Sequence, residues 1–405
     1  MAELHLLSPA GFRAAGVYAG IKSKHQPDVG LLLCERAVPA AAVFTTNKVF
    51  AAPVKVGRAH VKAGKLRGVV VNAGNANACT GKQGERDALR MCEVAASIAK
   101  CKKTEILPSS TGIIGHLLPM KKLERGIVEA GQYLGSSLEH AQLFAAAILT
   151  TDLKRKAAAT TVRIGRQTVT LAGVCKGSGM IGPRMSLAGA PHATMLAYLT
   201  TDAALAPPLL RKLLAASSDA SFNAVTVDDH TSTNDTAAIL ASGASGAKVS
   251  SPKDVKVFAA ALDEVCRSLA YQIAADGEGA TKVVIVNVRN ARTDAAATAM
   301  ARAIANSPLV KCAMHGNDPN WGRIVSAAGL AGVPFDPDKC ALTLQGTAVF
   351  RAGRPLTFDP NSVSEAMKAA EVKVDLDCRA GKGSATIWTC DLSKEYVTIN
   401  ADYHT

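Results

Sequence analysis

The chain has 405 residues, of which 48% are hydrophobic, 20% charged and 4% aromatic. Apolar content near one half excludes intrinsic disorder, and no apolar run approaches the ~20 residues that cross a bilayer, so two or three soluble domains of about 150 residues are predicted. The net charge of +13 is spread along the chain with short clusters at Lys102-Lys103 and Lys154-Arg155-Lys156. So few aromatic platforms make poor material for nucleic-acid binding, and the charge suits anionic small substrates better.

In chain order, residues 66–72 form a β-branched run bounded by polar residues and predict a strand. Residues 83–99 and 120–130 carry helical periodicity. Residues 168–171 read as a strand, and the glycine-rich stretch 173–193, with Pro183 and Pro191, reads as a loop. A loop of that length inside a compact protein is usually functional. It runs into the apolar, strand-like residues 194–199. Ser251-Pro252-Lys253-Asp254 has the cap, proline and acid of a helix start. The stripe Phe258, Leu262, Val265, Leu269 and Ile273 then lays one face of that helix on a core. Residues 282–288, 341–344 and 385–389 read as strands. Strands and helices mix without a regular βαβ rhythm, so the class is α+β and not a dinucleotide-binding fold.

Gly177-Ser178-Gly179-Met180-Ile181-Gly182 fits G-x-G-x-x-G, but Pro183 and more glycine follow where a cofactor-binding helix would have to open. Asp228 to Asp235 gathers oxygen ligands and one histidine without a defined metal geometry, so a polar turn capping its own backbone is the simpler reading. His315 is read the same way. There is no Gly-x-Ser-x-Gly elbow, no His-Glu-x-x-His and no phosphate loop. Ten cysteines without any C-x-x-C, behind a first segment lacking a signal peptide's features, predict reduced thiols and a cytoplasmic protein.

What remains is the end of the glycine-rich loop. A threonine after a strained loop can attack the preceding carbonyl, cut the chain and emerge as a new N-terminal residue. Its freed α-amine, with an ordinary pKa of about 7.7–8.0, can then act as the base for its own hydroxyl. Ala193-Thr194 offers such a junction. From the residues alone it is one reading among several, since Ala-Thr pairs are common.

The ordered segments carry more. They are GFRAAGVYAGIK at 11–22, VFTTNKV at 43–49, VVVNAGNANACTG at 69–81, SSTGIIG at 109–115, TTD at 150–152 and KGSGMI at 176–181. ATMLAYLTTDA at 193–203, SFNAVTVDDHTSTND at 221–235, DGEGATK at 276–282, GNDPNWGRI at 316–324 and INADYHT at 399–405 follow. In these, nearly end to end, the chain resembles the ornithine acetyltransferases, also called glutamate N-acetyltransferases, of arginine biosynthesis.

The resemblance implies an N-terminal-nucleophile-type, αββα-like α/β sandwich. Self-cleavage between Ala193 and Thr194 would give an α chain, 1–193, and a β chain, 194–405, paired again as α2β2. Thr194 would be the nucleophile, and Thr111 and Gly112 the oxyanion hole. Thr150, Lys176, Thr194, Glu278, Asn400 and Thr405 match substrate-binding positions, with Thr151 the alternative to Thr150. Lys176 suits a substrate carboxylate and Glu278 an amine. The implied reaction moves acetyl from N2-acetyl-L-ornithine to L-glutamate, releasing L-ornithine, with no metal or redox cofactor. Some family members also accept acetyl-CoA, which stands as a candidate co-substrate.

One departure is visible: about seven extra residues, around 186–192, separate Pro183-Arg184-Met185 from Ala193. They either relax the strain that drives cleavage or bulge outward upstream of it, and the match after the bond favours the bulge. Two other readings compete: an N-terminal-nucleophile amidohydrolase or aminopeptidase that uses water as acceptor, and an unprocessed, non-catalytic homologue.

Overall fold

A computed structural model describes residues 3–186 and 195–402. The described chain forms two compact units, one taking residues up to 223 and 230–273, the other 224–229 and those from 274 onward. This division differs from the expected 193/194 junction, which concerns a covalent cut.

The first unit opens with β1 (Phe12–Val17) and the long β2 (Val29–Phe44), followed by α1 (Ala52–Val61), β3 (Lys65–Asn75), α2 (Gly81–Ala99) and β4 (Ile106–Ile113). Then come α3 (Met120–Gln132), α4 (Leu138–Ala147), β5 (Lys156–Ile164), β6 (Gln167–Lys176) and β7 (Leu196–Thr201). After α5 (Pro207–Asp219) and β8 (Thr236–Ala241), α6 (Pro252–Ala275) completes it. The strands make one eight-stranded sheet in the order β4-β3-β2-β8-β7-β6-β5, with β1 added on β2. β3–β4 and β7–β8 are parallel, and the other pairs antiparallel.

Side-chain alternation explains why this sheet is covered on both faces. Leu32, Val69 and Val71 join Phe144 of α4 and Tyr198 in one core, whereas Leu31, Leu33 and Val70 join Met91, Leu123 and Ile127 of α2 and α3 in another. A period of two sends neighbouring residues to opposite faces, so a strand apolar throughout needs helices on each side. The stripe of α6 is buried as its spacing predicts, from Phe258 through Ile273, and each such side chain contributes about 1.5–3 kcal/mol. Ser251 caps that helix, accepting the Asp254 N–H at 3.1 Å.

The second unit holds β9 (Val283–Ala291), α7 (Asp294–Asn306), α8 (Pro308–His315), α9 (Trp321–Gly329), β10 (Ala341–Leu344), β11 (Thr347–Arg351) and β12 (Arg354–Pro355). α10 (Pro360–Ala366), β13 (Glu371–Asp377), β14 (Gly383–Cys390) and α11 (Lys394–Asp402) follow. Its sheet runs β12-β11-β10-β13-β9-β14, with only β13–β9 parallel. Alternating burial along β10 and β13 marks a sheet with one packed face. The fold is a mixed α/β sandwich, the α+β class expected.

The glycine-rich stretch needs a correction. Residues 173–176 are the end of β6, and Gly173 belongs there because Leu199 and Leu269 crowd the space a Cβ would take. As expected, no helix opens between Gly177 and Ser186. Among the described residues, no helix is long and apolar enough to cross a membrane, and no cluster of three His, Cys, Asp or Glu is placed to hold a metal.

Candidate active site

β4 ends in Thr111 and Gly112. Thr111 is fully buried, and its Oγ1 has no hydrogen-bond partner among the described residues. A buried hydroxyl left unpaired costs about 1–3 kcal/mol, a cost that an arriving acceptor would remove. Gly112 has φ +126°, and a Cβ there would meet the Gly74 carbonyl carbon at 2.4 Å. Only glycine lets the two strand backbones approach so closely, beside the register shift at Gly74/Asn75.

The strand end is held by a side chain from the segment before β8. Asn234, 2% exposed, donates through Nδ2 to the Ala76 carbonyl at 2.6 Å and the Ser110 carbonyl at 2.8 Å. Ser110 Oγ in turn donates to Asn72 Oδ1 at 2.7 Å. The next residue, Asp235, is fully buried; its Oδ1 accepts the Met195 N–H, and its Oδ2 has no partner among the described residues. Burial lifts this carboxyl well above the usual range, against the pull of the Met195 amide and the Lys176 charge. Thr236 completes the hold by donating its N–H to the Met195 carbonyl at 2.9 Å.

The flank before the extra residues is also tied. Thr46 Oγ1 donates to the Arg184 carbonyl at 2.9 Å, and Asn223 takes the Met185 N–H and returns Nδ2 to the Met185 carbonyl at 2.8 Å. Ser186 bridges to Phe44. The chain is therefore anchored at 184–186 and again at Met195.

A second cluster in the same unit gathers Lys176, Thr150 and Asp152. Lys176, 2% exposed at the end of β6, donates to Thr150 Oγ1 at 2.8 Å. The Asp152 side chain, fully enclosed, accepts from Lys156 Nζ at 2.7 Å and the Gly177 N–H at 2.7 Å, with Lys176 Nζ 3.9 Å away. Burial alone would raise its carboxyl, but Lys176, Lys156 and the Gly177 amide hold it down at about 2. The cluster at Lys154-Arg155-Lys156 is thus not a uniform surface charge, because Lys156 is 1% exposed. Burial also pushes the Lys22 ammonium down to about 8, countered by Asp28 and Asp152 and reinforced by Lys176.

In the second unit, Glu278 sits 8% exposed in the turn before β9, and Asn400 of α11 donates to its Oε2 at 2.9 Å. Gly279 makes this possible: it has φ +69°, and a Cβ there would lie 2.5 Å from the Tyr396 amide nitrogen of α11. Asn400 is accordingly in a helix and not in a frayed end. His315 closes α8 with Nδ1 2.7 Å from Asp391 Oδ2, a tertiary contact beyond the turn expected.

The structure therefore brings together Thr150 with Lys176, Glu278 with Asn400, and Thr111 with Gly112. Ala193, Thr194 and Thr405 lie outside the described residues. Sequence reasoning missed Asp152, Asn234 and Asp235. The expected polar turn at 228–235 is half right: Ser232 Oγ does accept the Asn234 N–H at 3.1 Å, but the side chains of Asn234 and Asp235 serve distant strands. The available signal was burial logic, since TSTND leads straight into β8, where apolar residues follow Thr236 and every position is buried.

Comparison with known proteins adds an independent line. The profile of the ArgJ family matches residues 13–405. The arginine biosynthesis bifunctional protein ArgJ of Rhodopirellula baltica is 43% identical, the match covering 99% of this chain and 97% of that one. Its counterpart in Deinococcus radiodurans is 45% identical, over 98% and 97%. Among solved structures, the ornithine acetyltransferase of Mycobacterium tuberculosis complexed with ornithine is 36% identical, covering 45% of this chain and 96% of that one, with a TM-score of 0.41.

Proposed function

The chain belongs to the ArgJ family, acyltransferases of arginine biosynthesis, and from that premise we propose that it transfers acetyl from N2-acetyl-L-ornithine to L-glutamate through an acetyl-threonine intermediate. Maturation comes first. Thr194 Oγ attacks the Ala193 carbonyl carbon, the C–N bond breaks as the nitrogen takes the hydroxyl proton, and water hydrolyses the resulting ester. The products are an Ala193 carboxylate and a free Thr194 amine.

That amine then serves as base while Thr194 Oγ attacks the acetyl carbonyl of the donor. The tetrahedral oxygen is met by Thr111 Oγ1 and the Gly112 N–H, ornithine leaves, and the glutamate amine takes the acetyl in a second, mirror-image half-reaction. Donors that strengthen as charge develops supply about 3–4 kcal/mol each. Lys176, with Thr150 beside it, holds substrate carboxylate; Glu278, oriented by Asn400, holds the amine; Thr405 belongs to the same set. The reading needs no metal or redox cofactor, keeps acetyl-CoA as a second acetyl donor, and has the cut chains working as α2β2 in the cytoplasm.

The observation that supports it most is the buried Thr111 hydroxyl, partnerless among the described residues, beside Gly112. Intact mass of the purified protein, next to a Thr194→Ala control, tests it. Two fragments, the second beginning at Thr194 and gaining one acetyl group on incubation with N2-acetyl-L-ornithine, are expected, with the control uncut. An uncut wild-type chain sinks the reading. Acetyl release that ignores glutamate would make the protein a hydrolase instead.

A further inference from the structure

Asp235 has no part in the chemistry above, yet it is the most constrained acid near the junction. It is fully buried, one oxygen is taken by the Met195 N–H, and the other has no partner among the described residues. The Met195 nitrogen is bonded to the carbonyl carbon of residue 194, so this contact grips the peptide unit directly following the proposed nucleophile. A peptide unit is planar, and fixing its N–H fixes its plane.

The residues on either side extend that grip. Asn234 spans the Ala76 and Ser110 carbonyls, one residue before Thr111, and Thr236 holds the Met195 carbonyl. Three consecutive residues thus measure out the separation between the oxyanion strand and the first residue after the junction.

We propose that Asp235 is a positioning residue for self-cleavage, whose Oδ1 anchors Met195 and so holds the residue 194 peptide unit in register with Thr111 and Gly112. The inference rests on the self-cleavage reading above. Burial pushes the Asp235 carboxyl up, while the Met195 amide and the Lys176 charge on β6 pull it back. The anchors at 184–186 and at Met195 lie on either side of the extra residues, most of which fall outside the described residues.

The experiment is cell-free synthesis of the full chain followed by time-resolved intact mass for wild type, D235A and D235N. A T194A/D235A chain compared with T194A reports folding of the uncut protein by thermal unfolding. D235A loses the anchor and is expected to cut about 100-fold more slowly, the effect of a small misplacement at a reacting centre. D235N keeps an acceptor for the Met195 N–H and is expected to restore most of the wild-type rate.

Equal cutting by D235A overturns the proposal. So does a D235N rate as low as that of D235A, because an acceptor for the Met195 N–H then does not suffice. Should D235A fail to fold, D235L, which fills the side-chain volume without an acceptor, takes its place, and equal cutting by D235L overturns the proposal. An uncut wild-type chain removes the underlying reading and this one together, whereas a cut wild type with an equally cut D235A removes this one only.

Discussion

Replacing Thr111 by valine separates stability from activity, because the hydroxyl is spent on neither packing nor a resident partner. The side chain is fully buried on β4, and its Oγ1 meets no acceptor or donor among the described residues. Valine keeps the β-branched shape and removes only the polar atom. The desolvation cost of an unpaired hydroxyl is about 1–3 kcal/mol, so the folded state should gain about 1 kcal/mol. Turnover moves the other way. Loss of one oxyanion donor lowers kcat about 10²–10³-fold, with KM nearly unchanged because the hydroxyl acts on charge that develops only in the transition state. The Gly112 amide remains, so activity is not abolished. Denaturant unfolding and ornithine release from N2-acetyl-L-ornithine in the presence of glutamate, both on chain whose cleavage has been scored by mass, give the two numbers. A variant that loses stability shows that the hydroxyl had a structural partner. A variant with full kcat shows that it is not the donor. Either result refutes the reasoning.

Two further outcomes are expected. The Asp152 carboxyl, held at about 2 against an ordinary 3.8, contributes about 2 kcal/mol at neutral pH. Because its folded value is depressed, that contribution is complete above 3.8 and disappears as pH falls through about 2. Stability-versus-pH curves for wild type and Asp152→Asn should therefore converge in that window, and parallel curves would discredit the ion cluster. In the second unit, Asn400→Ala removes a hydrogen bond to the Glu278 carboxylate, worth about 1.5 kcal/mol, so KM for both amino-acid substrates should rise about tenfold with folding unchanged. An unchanged KM would detach Asn400 from substrate binding.

Much of the scaffold could be read from residue pattern alone. The stripe from Phe258 to Ile273 locates the buried face of α6, and Ser251 with Pro252 locates its start. Residues 341–344 are predicted and found as a strand with the same bounds. These succeed because periodicity reports which side of an element meets a core, a local property. Asp152 and Asp235 failed for the opposite reason. Both are short polar side chains in turn-like sequence, where solvent exposure is the natural expectation, and their burial is decided by partners far along the chain. Lys156 illustrates it: as the third member of a basic triplet it looks solvated, but strand alternation in β5 turns it inward onto Asp152. Thr150, Lys176, Glu278 and Asn400 were nameable only through resemblance, since neither periodicity nor composition distinguishes them from other polar residues.

The sheet order also bears on what a cut at the 193–194 bond could do. β7 and β8 follow that bond, yet they sit inside the sheet, with β2 on one side and β6 on the other, both from before it. β6 pairs with β7 from Leu171↔Thr201 to Lys176↔Leu196, and β2 pairs with β8 from Ala40↔Leu240 to Phe44↔Thr236. The pairs that hold β7 and β8 among the described residues run from Leu196 onward, so they do not depend on the 193–194 peptide. Releasing the later segment would mean stripping β7 and β8 from neighbours on both flanks and exposing Tyr198, Ala238 and Leu240, all within one core. At about 25 cal/mol per Å² of apolar surface, that penalty far exceeds the entropy gained by opening one connection. An interior position for the post-junction strands would therefore let a chain cut at the 193–194 bond keep this sheet intact, with Met195, at the head of β7, already held by Asp235 and Thr236.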